Sequence, residues 1–414
     1  MCIFILLSNL TKRGLYFYLS WFFMGIGLIC WWLYHPNKVD ILTHFGSLLN
    51  ILSLFIVLTF IHAVIRVGKF DLDLRQFVSS KTKNAGTLYV KTSLMTYIFT
   101  FFLNVASVSI VVQSTKSLLQ SFSEKWRRKY YSKVVLRPYT MVLFWSPLEV
   151  TVAVVIDYTS QSYLLLLPVL LGVSFIFLIG DMWIQRTRYK GSELGEEPSK
   201  LSSRKKSYFG FLSAIALLVV SIVTVSTVLD VGLLLAITLV LFPFSLVWAW
   251  SLKRVKRFLK LSWSMNVKNL PNLRGLFSLF LSAGFFIEML GFTELFDRIS
   301  ALLESVYIGY PLFLFYLLLA LLIAVLAIFG LHSLVSISVL LPFLGTFMTS
   351  FPPGLALAVL SAAIGMILVS PFNVTPSVLA FQIQASPLYF LKYNLIYVLC
   401  FIVVNVLIGA YLLS

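Results

Sequence analysis

Apolar residues in this chain fall in long, nearly continuous runs separated by short polar loops. Such runs are the signature of helices that cross a bilayer, whereas a barrel would show short alternating strands. The runs lie at about residues 15–33, 41–65, 88 onward, 162–182, 209–229, 231–252, 275–291, 310–329 and 386 onward. With the interrupted runs between them, about eleven spans are expected. The polar residues that interrupt them are informative, because a polar group inside a membrane-length run is costly. One interruption occurs twice, 224 residues apart: Ser146-Pro147-Leu148-Glu149-Val150-Thr151 and Ser370-Pro371-Phe372-Asn373-Val374-Thr375. The same alignment pairs Val154 with Val378, Ser162 with Ser386 and Leu164 with Leu388.

Ser-Pro reads as a helix start. Serine suits the N-cap, proline the first helical position, and Glu149 stands where a capping box places its acid. A helix start inside a membrane-length run predicts a broken helix. Non-helical backbone at that depth is tolerated only against protein or a water-filled cavity. Two further stretches, residues 104–109 (Asn104, Ser107, Ser109) and 331–338 (His332, Ser333, Ser336), are small and hydroxyl-rich and follow the third span of each half. They are the candidates for re-entrant hairpins. Surface arms are expected at residues 66–83 and after Gly291-Phe292, the first basic and the second poor in basic residues.

The elements therefore repeat in order: span, span, arm, span, hydroxyl-rich stretch, broken helix, span. This divides the chain into a first transmembrane repeat, residues 1–184, a charged linker, 185–208, and a second repeat, 209–414. Plain counting of crossings gives parallel repeats. The charge of the two arms favours inverted ones, provided the hairpins re-enter without crossing. Duplication on this scale points to a secondary transporter.

Composition agrees with the pattern. Of 414 residues, 60% are apolar and 11% charged, with a mean hydropathy of +0.96, which no soluble domain of this size matches. The formal charge of +17 invites a nucleic-acid reading. The basic residues sit in short loops such as 125–137 and 253–260, which is the pattern of cytoplasmic loops beside anionic lipid. Membrane lipids, not nucleic acid, are the expected partner. Lys12 and Arg13 follow the first apolar residues instead of preceding them, the wrong order for a cleaved signal peptide. Three cysteines show no metal-ligand spacing and suggest no disulfide framework. The expected location is a prokaryotic cytoplasmic (cell inner) membrane.

The element order, the Gly291-Phe292 junction, the hairpin-like Leu331-His332-Ser333-Leu334-Val335-Ser336 and the late Ser370-Pro371-Phe372-Asn373-Val374-Thr375-Pro376 resemble the ion transporter superfamily. That group includes the divalent anion/sodium symporters, the citrate and dicarboxylate carriers, and arsenite or sodium/proton antiporters. The symporters' Ser-Asn-Thr signature is absent as such, and Glu149 stands where asparagine would be expected. The resemblance implies a scaffold domain, a moving transport domain, substrate held between hairpin tips and broken-helix loops, and a homodimer.

The polar residues expected to meet at the midplane are Asn104, Ser107 and Ser109; Ser146, Glu149 and Thr151; His332, Ser333 and Ser336; and Ser370, Asn373 and Thr375. Hydroxyls, amides and freed carbonyls are hard donors, suited to Na⁺, with Ser146, Ser370 and Asn373 the candidate ligands. Helix N-termini suit a small anion. Glu149 reads as a cap, or as a site for a cation or proton, and His332 as a proton-coupling candidate. Asp157 and Glu288 are expected near interfaces. The function expected is ion-coupled transport of a small organic or inorganic anion by alternating access, driven by Na⁺ or H⁺, without a cofactor and without enzymatic chemistry. Two alternatives are an accessory subunit of an envelope-polymer exporter and a membrane enzyme acting on lipid-linked substrates. No Asp-x-x-Asp-like cluster or Walker-type loop supports an enzyme or an ATP-driven pump.

Overall fold

The computed structural model describes residues 14–34, 41, 43–45, 48–68, 84–194 and 208–413. The fold is all-α and polytopic. The first half contains α1 (Leu15–Tyr34), α2 (Leu49–Gly68), α3 (Ala85–Leu103), α4 (Ala106–Thr115), α5 (Glu124–Val134), α6 (Leu136–Leu143), α7 (Val150–Tyr158) and α8 (Tyr163–Arg188). The second contains α9 (Tyr208–Val228), α10 (Leu233–Ser251), α11 (Val255–Leu290), α12 (Glu294–Gly309), α13 (Leu312–Ile328), α14 (Ser333–Leu344), α15 (Pro353–Val369), α16 (Val374–Ile383) and α17 (Tyr389–Leu412).

Among the described residues, seven stretches are long and apolar enough to cross a membrane: α1, α2, α8, α10, the last half of α11, the broken pair α15–α16, and α17. Much of the remaining apolar sequence lies in the hairpins. At 1.5 Å per residue, α4 and α14 are roughly 15 and 18 Å long, too short for a hydrocarbon core of about 30 Å.

Packing follows an exchange rule. α1 packs on α11 as α10 packs on α2; α3 packs on α4, α6 and α8 as α13 packs on α14, α15 and α17; α4 meets α16 as α14 meets α7. Among the described residues, helix α9 has no counterpart in the first half. The ends of the elements fix their directions. The end of α7 meets the start of α15, where Gln161 Nε2 donates to the Phe351 carbonyl (2.5 Å) and Tyr158 packs on the Phe351 ring. The end of α16 meets the start of α5, where Arg128 Nε donates to the Ile383 carbonyl (3.3 Å). The two broken helices therefore run antiparallel.

The hairpins follow the same geometry. Tyr189, at the end of α8, packs on Trp126 and Tyr130 of α5, and Ala85 N–H donates to the Ser192 carbonyl, so α3–α4 enters and leaves at the α5 end. Phe313 stacks on Tyr411, and Gly354 N–H donates to the Leu413 carbonyl, so α13–α14 enters and leaves at the opposite end.

Three sequence expectations need adjustment. The arm at 66–83 begins later, because residues 66–68 complete the last turn of α2; the rest of that arm lies outside the described residues, as do residues 1–13. The linker expected at 185–208 is helical through Arg188, and residues 195–207 lie outside the description. The Ser-Pro pairs do not cap the helices. Each serine is held out of the helical region by the proline after it. Each pair opens a four-residue turn with proline second, closed by Glu149 N–H to the Ser146 carbonyl (3.1 Å) and by Asn373 N–H to the Ser370 carbonyl (3.3 Å). The true N-caps are Glu149 and Asn373, whose side chains accept from the N–H groups of Thr151 and Thr375.

Beside the first broken helix lies a buried ion pair that the sequence did not announce. Arg137 of α6 meets Asp181 of α8 at 2.5 Å, with side chains 9% and 2% exposed. Tyr89 OH donates to Asp181 (2.6 Å), and Arg137 also donates to Asn394 Oδ1 (2.9 Å) and the Tyr393 carbonyl (2.8 Å) while lying over the Tyr397 ring. The pair thus ties α3, α6 and α8 to α17. Removing one partner leaves the other charge buried alone, so Arg137→Met is expected to destabilise by about 3–5 kcal/mol. Adding Asp181→Leu is expected to recover part of that loss, read from thermal unfolding in detergent.

Candidate functional site

The two hairpin turns and the two helix breaks come together around one cavity of about 630 Å³. Hairpin α3–α4 turns at Asn104, whose φ of 43° is reached by few residues besides glycine and asparagine. Its side-chain carbonyl accepts from the Tyr139 hydroxyl. Hairpin α13–α14 turns at Gly330, with φ of 98°, and α14 then starts at a His332 cap whose Nδ1 accepts from Leu334 N–H (3.3 Å).

Seven of the expected residues line the cavity: Asn104, Glu149, Thr151, His332, Ser333, Asn373 and Thr375. Glu149 Oε1 accepts from the Thr151 hydroxyl (2.9 Å) and backbone N–H (3.5 Å). Asn373 Oδ1 accepts from Thr375 N–H at 3.3 Å, so the same capping is made without charge in the second half. Four helices, α4, α7, α14 and α16, begin at this space, and their N-termini add partial positive charge.

Most of the other expected residues serve the backbone. Ser370 does not face the cavity; its hydroxyl donates to the Ala327 carbonyl (2.8 Å) at the end of α13, beside the Gly330 N–H that the same carbonyl accepts (3.3 Å). Ser107 donates to the Asn104 carbonyl (2.6 Å), holding the first turn. Ser336 is buried beside the His332 carbonyl (3.5 Å). Ser109 accepts from Gln382 Nε2 (3.1 Å) and lines a separate space near Arg66. Ser146 lines a small recess with His62, Asn104 and Glu149. The Na⁺ ligands expected at Ser146, Ser370 and Asn373 therefore do not share one wall.

Sequence reasoning missed the opposite wall. His62 and Arg66 of α2 and Lys268 of α11 line the cavity, with Thr59, Phe55, Leu58, Leu273 and Leu276 between them. Among the described residues neither Arg66 nor Lys268 is paired with a carboxylate. The available signal was His62 and Arg66 four residues apart, on one helix face. It was obscured because Arg66 read as the start of a surface arm. Across the cavity stand Tyr139, Leu103, Leu143 and Leu148, so the space offers two cations, uncharged donors and a large apolar surface.

The division between wall and packing residues can be tested with a cysteine-less background. Asn373→Cys and Ser333→Cys are expected to react with a small water-soluble thiol reagent, and Ser107→Cys to remain unlabelled, by mass spectrometry of the folded protein.

No family model matches the chain, and no curated protein matches it. Among solved structures, the chain is similar to the YdaH transporter of Alcanivorax borkumensis, whose crystal structure is described as revealing an unusual topology. The likeness covers 97% of this chain and 98% of that one, with a TM-score of 0.57 and 12% sequence identity. At that identity, what the two chains share is the fold.

Proposed function

We propose that this protein is an ion-coupled secondary transporter of small anions that works by alternating access, in the manner of the ion transporter superfamily it resembles. The observation that carries the reading is the cavity. Arg66 and Lys268, on α2 and α11, face the N-termini of α4, α7, α14 and α16, on the two hairpins and the broken helices. An anion placed between them meets two cations and four favourable helix ends, without a buried pair to break first. The overall likeness to a transporter supports transport in general; the anionic substrate is read from these side chains alone.

The antiparallel broken helices and hairpins entering from opposite ends support inverted repeats. In such an architecture the cavity faces either side when one group of helices moves against the other. On this reading α1, α2, α10 and α11 form the scaffold, and the hairpins, broken helices, α8 and α17 move. Homodimerisation belongs to the same proposal.

The test is counterflow in proteoliposomes with labelled sulfate, succinate and benzenesulfonate. At least one is expected to exchange, and Arg66→Gln with Lys268→Gln is expected to cut exchange at least ten-fold while the protein still elutes as a folded species. Exchange of organic cations in preference to all three anions would contradict the proposal.

A further inference from the structure

Glu149 is the one acidic side chain among the described residues lining the cavity. Its equivalent in the second half, Asn373, occupies the same turn, caps the same kind of helix and bonds the same N–H without a charge. Capping therefore explains an oxygen at position 149 but not a carboxylate. Only Oε1 is engaged, by Thr151; Oε2 has no partner among the described residues.

From this asymmetry we infer that Glu149 is the site of proton coupling: it takes up a proton when the anion enters the cavity and gives it up on the other side. The assignment rests on the transport reading above and names its driving ion. The proton comes from water on the side the cavity faces and returns to water on the opposite side; no bond of the substrate changes. A cavity of 630 Å³ is roughly 10 Å across, a span over which an ionised Glu149 and a bound anion still repel. At an effective dielectric near 20 that repulsion shifts either binding equilibrium roughly ten-fold. Anion and proton therefore bind together, and by linkage each raises the other's affinity by the same factor. In the empty cavity an ionised Glu149 instead balances Arg66 and Lys268.

The groups that face Glu149 are consistent with this role. His62 and Arg66 come from α2, Tyr139 from α6, Lys268 from α11 and His332 from α14. Helices α10, α15 and α16 contain no titratable residue. His332 already spends Nδ1 as a helix-cap acceptor, and His62 lies on the scaffold wall.

The experiment compares wild type with Glu149→Asn, which copies the second half's cap, in proteoliposomes loaded with the same three anions. Sulfate and benzenesulfonate do not titrate near neutrality, so a pH effect on them belongs to the protein. In wild type, an acid exterior is expected to drive accumulation without Na⁺, with the apparent KM rising about ten-fold between pH 6 and pH 8. In Glu149→Asn, pH-driven accumulation is expected to disappear and any remaining counterflow to become independent of pH; a merely structural role would lower the rate and leave the pH profile in place. Counterflow in wild type with uptake driven only by Na⁺, or an unchanged pH profile in Glu149→Asn, overturns this assignment while leaving the transport reading standing. Absence of counterflow for all three anions overturns both.

Discussion

Everything in this structure depends on keeping backbone polar groups paired where helices stop inside an apolar medium. Proline at 138 cannot donate to the Val134 carbonyl, and the Thr96 hydroxyl does so instead (3.2 Å). Where α6 ends, the Met141 carbonyl is taken by Ser174 (2.7 Å) and the Trp145 carbonyl by Tyr163 (2.6 Å). In the second half, Ser370 adds a second donor to the Ala327 carbonyl, which already accepts from Gly330 N–H. Each bond joins a break or a hairpin to a neighbouring helix, so satisfying the backbone also positions the turns. An unmet carbonyl there costs about 1–3 kcal/mol.

The two halves solve this problem in parallel steps. Each break is a four-residue Ser-Pro turn followed by a side-chain cap, and each resumed helix ends in a left-handed residue, Ser160 with φ of 52° and Gln384 with φ of 53°. Identical backbones carry different chemistry: a carboxylate on one side, an amide on the other. The cations come from neither, but from α2 and α11 on the facing wall. In the proposed mechanism the recurring turns build the space, and the residues that do not recur give it charge.

The repeat, the hairpins and the breaks were legible in the sequence because polar residues within apolar runs have few structural reasons to exist. Seven of twelve expected site residues reach the cavity. Ser107 and Ser370 do not, because a hydroxyl beside a helix end serves its own or a neighbouring carbonyl before any ligand, and sequence spacing cannot tell the two apart. The capping register was missed for a related reason: Ser-Pro opens helices in water, but here proline is the second residue of a turn and the cap comes three positions later. Arg66 was misread because a cation at the end of an apolar run looks like a loop charge, and Lys268, between the basic loop at 253–260 and the run at 275–291, went unread. Only the antiparallel packing of α2 against α11, anchored by Arg254 on the Val67 carbonyl, turns both toward the cavity. The Arg137–Asp181 pair had no local signature, since its partners lie 44 residues apart.

The central claim is that the two broken helices cross the membrane in opposite directions and meet at one cavity. Ser160 and Gln384, both exposed and equivalent in the two halves, report on it directly. Single cysteines at these positions, in a cysteine-less background, can be treated with a membrane-impermeant maleimide in sealed right-side-out and inside-out vesicles. Opposite orientation predicts that each vesicle type labels one position and protects the other, and that the two vesicle types give reciprocal patterns. Labelling of both positions from the same side would contradict it.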